Sequence, residues 1–294
     1  MTHLMPHHRN RRPRRTAPLG RMRGLSLIEL MIGIVVGLIV LLAMSTVFVN
    51  SSSARRELQL SADALENGRY AIDLLTRDLS QTGYLGTLAS TPAGTAVVPS
   101  EMCDSVLATW QGTLSTHVVG YQDGGYPACI PAKAGTDAVF VQRASTCAVG
   151  EANCAAEVAS QAYLQVSECG FEYSTTPFVL AAGGGGNGVF NLQSKPCNST
   201  GFSTKRRLIR RIFYITATNN LVSQEIPLTG ALPAPVVLVE GIEDMQIEYA
   251  VDANNNGSVD AGEFVANPAD WRHGRRLAQP SRVARRHASQ DHPA

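Results

Sequence analysis

The chain has 294 residues, 44% hydrophobic, 17% charged and 6% aromatic, with a formal net charge of +1. That is material for a membrane anchor plus one globular domain, or a domain with a large insertion. Basic residues concentrate in the leader and at the extreme C-terminus, and the body between them is nearly balanced or acidic. This excludes an extended basic surface of the kind that binds nucleic acid.

The first element is a basic leader, residues 1–24, with Arg9, Arg11, Arg12, Arg14, Arg15, Arg21 and Arg23; Met5 and Met22 offer alternative starts. An apolar span follows from Leu25 to Val49, long enough as a helix of ~1.5 Å per residue to cross a bilayer. One carboxylate, Glu29, interrupts it. An acid at mid-membrane costs on the order of 2.5–3.5 kcal/mol, less near an end, so its presence needs a reason. A secretory signal has an apolar core of only about 7–15 residues. Ser52-Ser53-Ala54 offers a small-residue cut site for one, but the run before it is too long, and no nearby cysteine permits a lipoprotein signal. The consecutive arginines suggest a twin-arginine signal, which the carboxylate and the long apolar run fit badly. Arginines before the span place that side in the cytoplasm, and Arg55 and Arg56 beyond it weaken the asymmetry without reversing it. The arrangement resembles the type IV prepilin signature. That resemblance implies cleavage after Gly24, an N-methylated new N-terminus at Leu25, and pairing of Glu29 with a neighbouring subunit's N-terminal amine during assembly.

Residues 50–83 continue as an amphipathic helix, clearest from Ala54 to Ser80. Leu58, Leu65, Ile72 and Leu79 recur every seven residues and Leu75 joins their face, predicting one stripe that packs on its own domain. Glu57, Asp63, Arg69, Arg77 and Asp78 keep the remainder soluble. Gly68 weakens the helix by about 1 kcal/mol, a sign of flexibility or close packing. Gly83-Tyr84-Leu85-Gly86 carries the turn chemistry that ends it.

Beyond residue 87 the pattern turns to short β segments. Predicted strands are Asp137–Arg143, Ala162–Ser167, Arg207–Thr216, Leu221–Ile226, Val236–Val239 and Met245–Val251, with alternation clearest in Met245-Gln246-Ile247-Glu248-Tyr249. Thr218-Asn219-Asn220 reads as a hairpin turn. Six cysteines, Cys103, Cys129, Cys147, Cys154, Cys169 and Cys197, all follow the span, which suggests disulfides in an oxidising compartment. They allow 15 pairings, and the closeness of Cys147 and Cys154 favours one small loop between them. A zinc site is weakly supported, because no close Cys-x-x-Cys pair occurs. Residues 100–200 hold all six and read as an irregular insertion. Gly183-Gly184-Gly185-Gly186-Asn187-Gly188 lacks the Lys-Ser/Thr of a phosphate loop and reads as a flexible loop.

Residues 252–263 match a twelve-residue calcium-loop pattern at its constrained positions. Asp252, Asn254 and Asn256 would offer side-chain oxygens and Ser258 its backbone carbonyl. Asp260 would act directly or through water, and Glu263 with both oxygens; Gly257 allows the sharp turn and Val259 is a small apolar anchor. The competing reading is an asparagine-rich turn. With three carboxylates, modest Ca2+ affinity is expected. After Trp271 the chain becomes basic and loses its strand period. It reads either as a disordered tail that binds membrane or acidic polymer, or as a frameshift: His273-Gly274-Arg275-Arg276, encoded CAY-GGN-CGN-CGN and read one base later, permits Met-Val-Ala-Val. In that second reading the native chain ends in an apolar strand.

Glu66-Asn67-Gly68-Arg69-Tyr70-Ala71-Ile72-Asp73-Leu74-Leu75-Thr76-Arg77-Asp78-Leu79, then Gly83-Tyr84, resembles the PilW family of minor type IV pilins. So does Val237-Leu238-Val239-Glu240-Gly241-Ile242-Glu243-Asp244-Met245-Gln246, leading into an Asp/Asn/Gly-rich loop and Trp271. The resemblance implies an α+β, type IV pilin-like fold, with a long N-terminal helix on an antiparallel sheet. The domains expected are leader 1–24, transmembrane helix 25–49, amphipathic helix 50–83, β-rich periplasmic domain 84–271 and basic tail 272–294. It further implies a low-abundance, inner-membrane-anchored subunit that helps start the pilus at or near its tip. Implied partners are other minor pilins, the major pilin, the prepilin peptidase, the inner-membrane assembly platform and a tip adhesin. The resemblance of family members' C-terminal strand, of the Val-Val-Ala-Val-Arg kind, strengthens the frameshift reading. The runner-up is a J-type minor pseudopilin of a type II secretion system, and a third reading is a membrane-anchored periplasmic binding domain. No nucleophile elbow, paired metal ligands or nucleotide loop suggests an enzyme.

Overall fold

A computed structural model describes residues 24, 26–89, 102–123, 125–198, 200–228, 231–250, 256, 258 and 260–265. Leu25, Asp252, Asn254, Gly257, Val259, Trp271 and the basic tail lie outside the described residues. The chain forms two compact units, residues 1–60 and 61–294.

Helix α1 runs from Leu27 to Leu79. Within the first unit, Leu27–Val49 is the apolar run; at ~1.5 Å per residue it extends roughly 35 Å, against a hydrocarbon core of about 30 Å. Every residue from Ser26 to Glu66 is exposed. Apolar surface on this scale is unfavourable in water and marks a membrane or protein contact. Among the described residues α1 is the helix long and apolar enough to cross a membrane.

In the second unit, the last turns of α1 lie on an antiparallel sheet. Strands β1 (Val118–Tyr121), β2 (Ala138–Ala148), β3 (Ala162–Val166), β4 (Phe178–Ala182), β5 (Lys205–Ile215), β6 (Asn220–Glu225) and β7 (Val236–Glu240) build it. The path is β1-β2-β5-β3-β4, and β6 pairs with the far half of β5 and with β7. Strand β5 is the hub: its 11 residues meet β2 along one edge, and β3 and then β6 along the other. The β5–β6 hairpin turns where Asn219 adopts φ 60° and its N–H donates to Thr216 O at 3.0 Å.

Both faces of this sheet are covered, and the period-2 pattern sorts side chains between them. Val139, Val141 and Phe213 face the helix with Leu75 and Leu79, and Ile215, Leu221 and Val239 pack there with Ala71 and Leu74. Phe140, Leu208, Ile212, Tyr214 and Val222 face the opposite core, which includes Trp110, Leu114, Leu164 and Leu180. That core is supplied largely by the stretch expected to be an insertion. Residues 102–198 contribute β1–β4 and three short helices, α2 (Leu107–Gly112), α3 (Gly170–Tyr173) and α4 (Gly186–Val189).

Four expectations need correction. The helix face that packs is Ala71, Leu74, Leu75, Asp78 and Leu79. Leu58, Leu65 and Ile72 stay exposed at 71%, 68% and 42%; Leu58 and Leu65 belong to the stretch in which every face of the helix is exposed. A Cβ at Gly68 would meet nothing within 4 Å, so close packing does not explain that glycine. Of the predicted strand Met245–Val251, residues 245–250 are described, and of these Tyr249–Ala250 forms a strand, β8, pairing with β9 (Phe264–Val265). Met245 O instead accepts from Asp137 N at 2.8 Å, and Ile247 N donates to the Asp137 carboxylate at 2.8 Å. The glycine-rich loop is also more fixed than expected: a Cβ on Gly183 would lie 2.3 Å from Val158 O, and Gly186–Val189 makes a helical turn.

Candidate functional site

At the start of α1, Ser26 and Glu29 form a capping arrangement. Glu29 Oε2 accepts from Ser26 N at 3.3 Å, and Leu30 N donates to Ser26 O at 3.1 Å. This is the Ser-x-x-Glu spacing in which the carboxylate at the third position of the first turn satisfies an orphan N–H at the helix start. The carboxylate therefore bends back towards the N-terminal side of the helix, the side on which Leu25 precedes it in sequence. Gly24 is exposed, with no neighbour within 4 Å of where a Cβ would stand. The capping role was legible in Ser26-Leu27-Ile28-Glu29, but the sequence reading assigned Glu29 to assembly alone.

At the other end of α1, Asp78 is the ionic link to the sheet. Its two carboxylate oxygens accept from Arg143 of β2 at 3.0 Å and Arg211 of β5 at 2.5 Å. Arg211 also reaches Glu225 at 3.9 Å, and Glu225 holds Arg207 at 2.7 Å. Arg207 and Arg211 stand four residues apart on one strand and so share a face. Asp78 was read as a solubilising residue; with its side chain 14% exposed it is instead a largely desolvated ion-pair centre. By contrast, Asp73–Arg77 is an ordinary exposed i,i+4 pair at 2.8 Å.

On the opposite face of β5, Arg210 is fully buried. Its guanidinium lies 4.4 Å from the Trp110 ring centroid and 5.1 Å from that of Phe140, and Nη2 contacts Met102 Sδ at 3.6 Å. Its Nε and Nη1 find no acceptor among the described residues. Burial lowers its pKa from 12.5 to about 10, so it remains a cation at neutral pH. Aromatic faces attract such a desolvated cation by about 2 kcal/mol or more. The strand period placed Arg210 opposite Arg211, yet nothing local in the sequence indicated that one of two adjacent arginines is core.

All six cysteines pair: Cys103–Cys129, Cys147–Cys154 and Cys169–Cys197, with Cα separations of 6.4, 5.6 and 5.0 Å. The small Cys147–Cys154 loop matches the sequence expectation. The first bridge ties the residues beside Met102, which touches Arg210, to the loop before β2.

Of the candidate calcium ligands, Asn256, Ser258, Asp260 and Glu263 are described. Asn256 Oδ1 accepts from Ser258 N at 2.8 Å and its Nδ2 donates to Asp260 Oδ2 at 2.9 Å. Asp260 N donates to Glu263 Oε2 at 2.8 Å. Among the described residues no group of three His, Cys, Asp or Glu side chains converges. The base of the loop is the β8–β9 ladder, with Ala250 opposite Phe264 and Tyr249 opposite Val265. Tyr249 is buried over Gly120 of β1, where an added Cβ would stand 2.3 Å from the tyrosine hydroxyl. That notch is the reason a glycine is tolerated inside β1.

Residues 212–273 match the family described as Type IV Pilus-assembly protein W. The match covers the end of β5, then β6, β7, β8 and β9, and stops at His273, where the sequence turns basic. It supports the PilW family for this part of the chain and a role connected with type IV pilus assembly. No curated protein and no solved structure gives a match.

Proposed function

We propose that this chain is a minor type IV pilin that takes part in starting and assembling the pilus, at or near its tip. The observation that carries the reading is the combination of an apolar helical run, Leu27–Val49, exposed throughout, with a β-rich unit whose 212–273 segment matches the PilW family. Neither half explains itself alone. Among the described residues the helix has no buried apolar residue before Ala71, and a helix so exposed needs lipid before assembly and other helices after it. In this reading a prepilin peptidase cuts after Gly24 and Leu25 becomes the N-methylated terminus. Glu29 then pairs with the terminal amine of a neighbouring subunit, and its carboxylate already turns towards the helix start.

The arginine-rich leader favours insertion into the inner membrane with the β-rich unit in the periplasm, where disulfides form. The partners in this account are the other minor pilins, the major pilin, the inner-membrane assembly platform and a tip adhesin. No catalytic role is proposed. The second reading is a J-type minor pseudopilin of a type II secretion system, which shares the N-terminal signature.

The test is a clean, non-polar deletion scored for sheared surface pili and for the type II secretome together. Loss of pili with secretion intact supports the minor pilin; lost secretion with normal pili moves the chain to the pseudopilus. Mass spectrometry of the mature protein checks processing, with N-methyl-Leu25 expected and a retained leader counting against both readings.

A further inference from the structure

The apolar run of α1 stops at Val49, but the helix goes on presenting large apolar side chains to solvent beyond it. Leu58, Leu65 and Ile72 are 71%, 68% and 42% exposed. At ~1.5 Å per residue, Leu65 stands about 24 Å along the helix past Val49, whereas lipid headgroups add only about 5–8 Å to each side of the hydrocarbon core. Lipid therefore does not cover this stripe. The chain's own sheet takes Ala71, Leu74, Leu75 and Leu79 instead.

The stripe repeats at every seventh residue, and Ala54, Ser61 and Gly68 repeat with the same period between its members. Large and small side chains thus alternate along one face at steps of three and four, the spacing of a coiled-coil seam. Small residues on such a seam let a second helix backbone come close. Gly68 fits that use. Nothing in its own chain lies within 4 Å of an added Cβ, so the described fold gives no reason for a glycine there, whereas a second helix over the seam does.

We propose that this face of α1 is an interface with a second copy of the chain, the two helices parallel and displaced by one heptad. Anchors inserted into one membrane with the same leader side inward meet only in parallel. The displacement follows from charge. Residues flanking a parallel seam on opposite sides face each other when they are about five positions apart. In register, Glu57 of one copy would face Ala62 of the other, and no ion pair forms. Shifted by one heptad, Glu57 of the first copy meets Arg69 of the second, and Glu57 of the second meets Arg55 of the first. The same shift seats Leu58 against Leu65 and Leu65 against Ile72. Exposed ion pairs select the register more than they add affinity, which the apolar seam supplies. The inference rests on the anchor in the proposed function and not on the pilus.

The experiment uses the full chain in inner-membrane vesicles, with two differently tagged copies, one carrying Ala54→Cys and the other Ser61→Cys. Both sites are exposed, and the six native cysteines are paired, so the parent is the blank. Mild oxidation should give about fivefold more covalent dimer from this mixed pair than from two Ala54→Cys copies, the bias that two exposed ion pairs supply. Glu57→Arg in both copies should cut the mixed yield to that of the like pair, and adding Arg55→Glu and Arg69→Glu should restore it. Equal yields from mixed and like pairs, indifference to Glu57→Arg, or failure of the reversed charges to restore the bond overturns the displacement. No covalent dimer, or cross-linking only to other proteins, overturns the self-association. These outcomes leave the pilus reading untouched, since the deletion scores it separately.

Discussion

Asp78→Asn isolates the link between α1 and the sheet. The substitution keeps size and shape but removes the charge that Arg143 and Arg211 share at 3.0 and 2.5 Å. An exposed pair contributes about 0.2–1 kcal/mol, whereas breaking a buried one costs about 3–5 kcal/mol because a charge is left stranded. Here the three side chains are 13–27% exposed, between those limits. Arg211 keeps a longer contact to Glu225 at 3.9 Å, whereas among the described residues Arg143 pairs with Asp78 alone. We therefore expect a loss of about 2–3 kcal/mol, roughly 5–10 °C in Tm for a unit of this size. The assay is thermal unfolding of the oxidised full chain in detergent, followed by near-ultraviolet circular dichroism. Asp73→Asn is the internal control: its pair with Arg77 is 63–70% exposed and should cost under about 0.5 kcal/mol. If the two variants melt alike, Asp78 is a surface charge and the reasoning about its burial is wrong.

Arg210→Met should leave stability unchanged or raise it by about 1 kcal/mol, because an apolar chain of similar length relieves the desolvation of a cation whose Nε and Nη1 find no acceptor among the described residues. Arg210→Ala should lose about 3 kcal/mol through the cavity beside Trp110; a methionine variant as weak as the alanine one would mean the charge itself is needed. Burial holds His117 below its ordinary value of 6.5, so in the intervening window the unfolded chain binds a proton that the folded chain refuses. Stability should therefore fall as pH drops through 6.5 towards that lower value, and His117→Gln should remove that part of the fall. Asp137, raised above 3.8 by burial, works in the opposite sense: its contribution is lost as pH rises through 3.8 towards the folded value. Glu29→Ala should leave processing after Gly24 largely intact and impair piliation, read by comparing mature-length protein in membranes with sheared pili; normal piliation would remove Glu29 from assembly.

The longer strands were legible because their residues alternate over enough positions to show a period. Lys205–Ile215 and Asn220–Glu225 fall within a residue or two of their predicted bounds. Strands β1 and β4 were missed. Val118–Tyr121 contains a glycine and Phe178–Ala182 ends in two alanines, and four or five residues carry too little pattern to separate a strand from a loop. In the candidate site, Glu29 stood out because a carboxylate within an apolar run is costly whatever surrounds it. Asp78 did not, because a carboxylate on a polar helix is ordinary until Arg143, 65 residues away, comes within reach.

The sequence by itself determined the apolar span, the helix that continues it, the antiparallel β character of the remainder and the spacing of the twelve-residue loop. Each depends on interactions between near neighbours or on transfer from water, which local composition and period encode. The tertiary structure alone decided which of the possible cysteine pairings forms and which face of α1 docks. It also decided that Arg210 is core while Arg211 is an ionic partner, and that Gly120 makes room for Tyr249. These are properties of residues far apart in the chain, whose environment exists only once the sheet has brought them together.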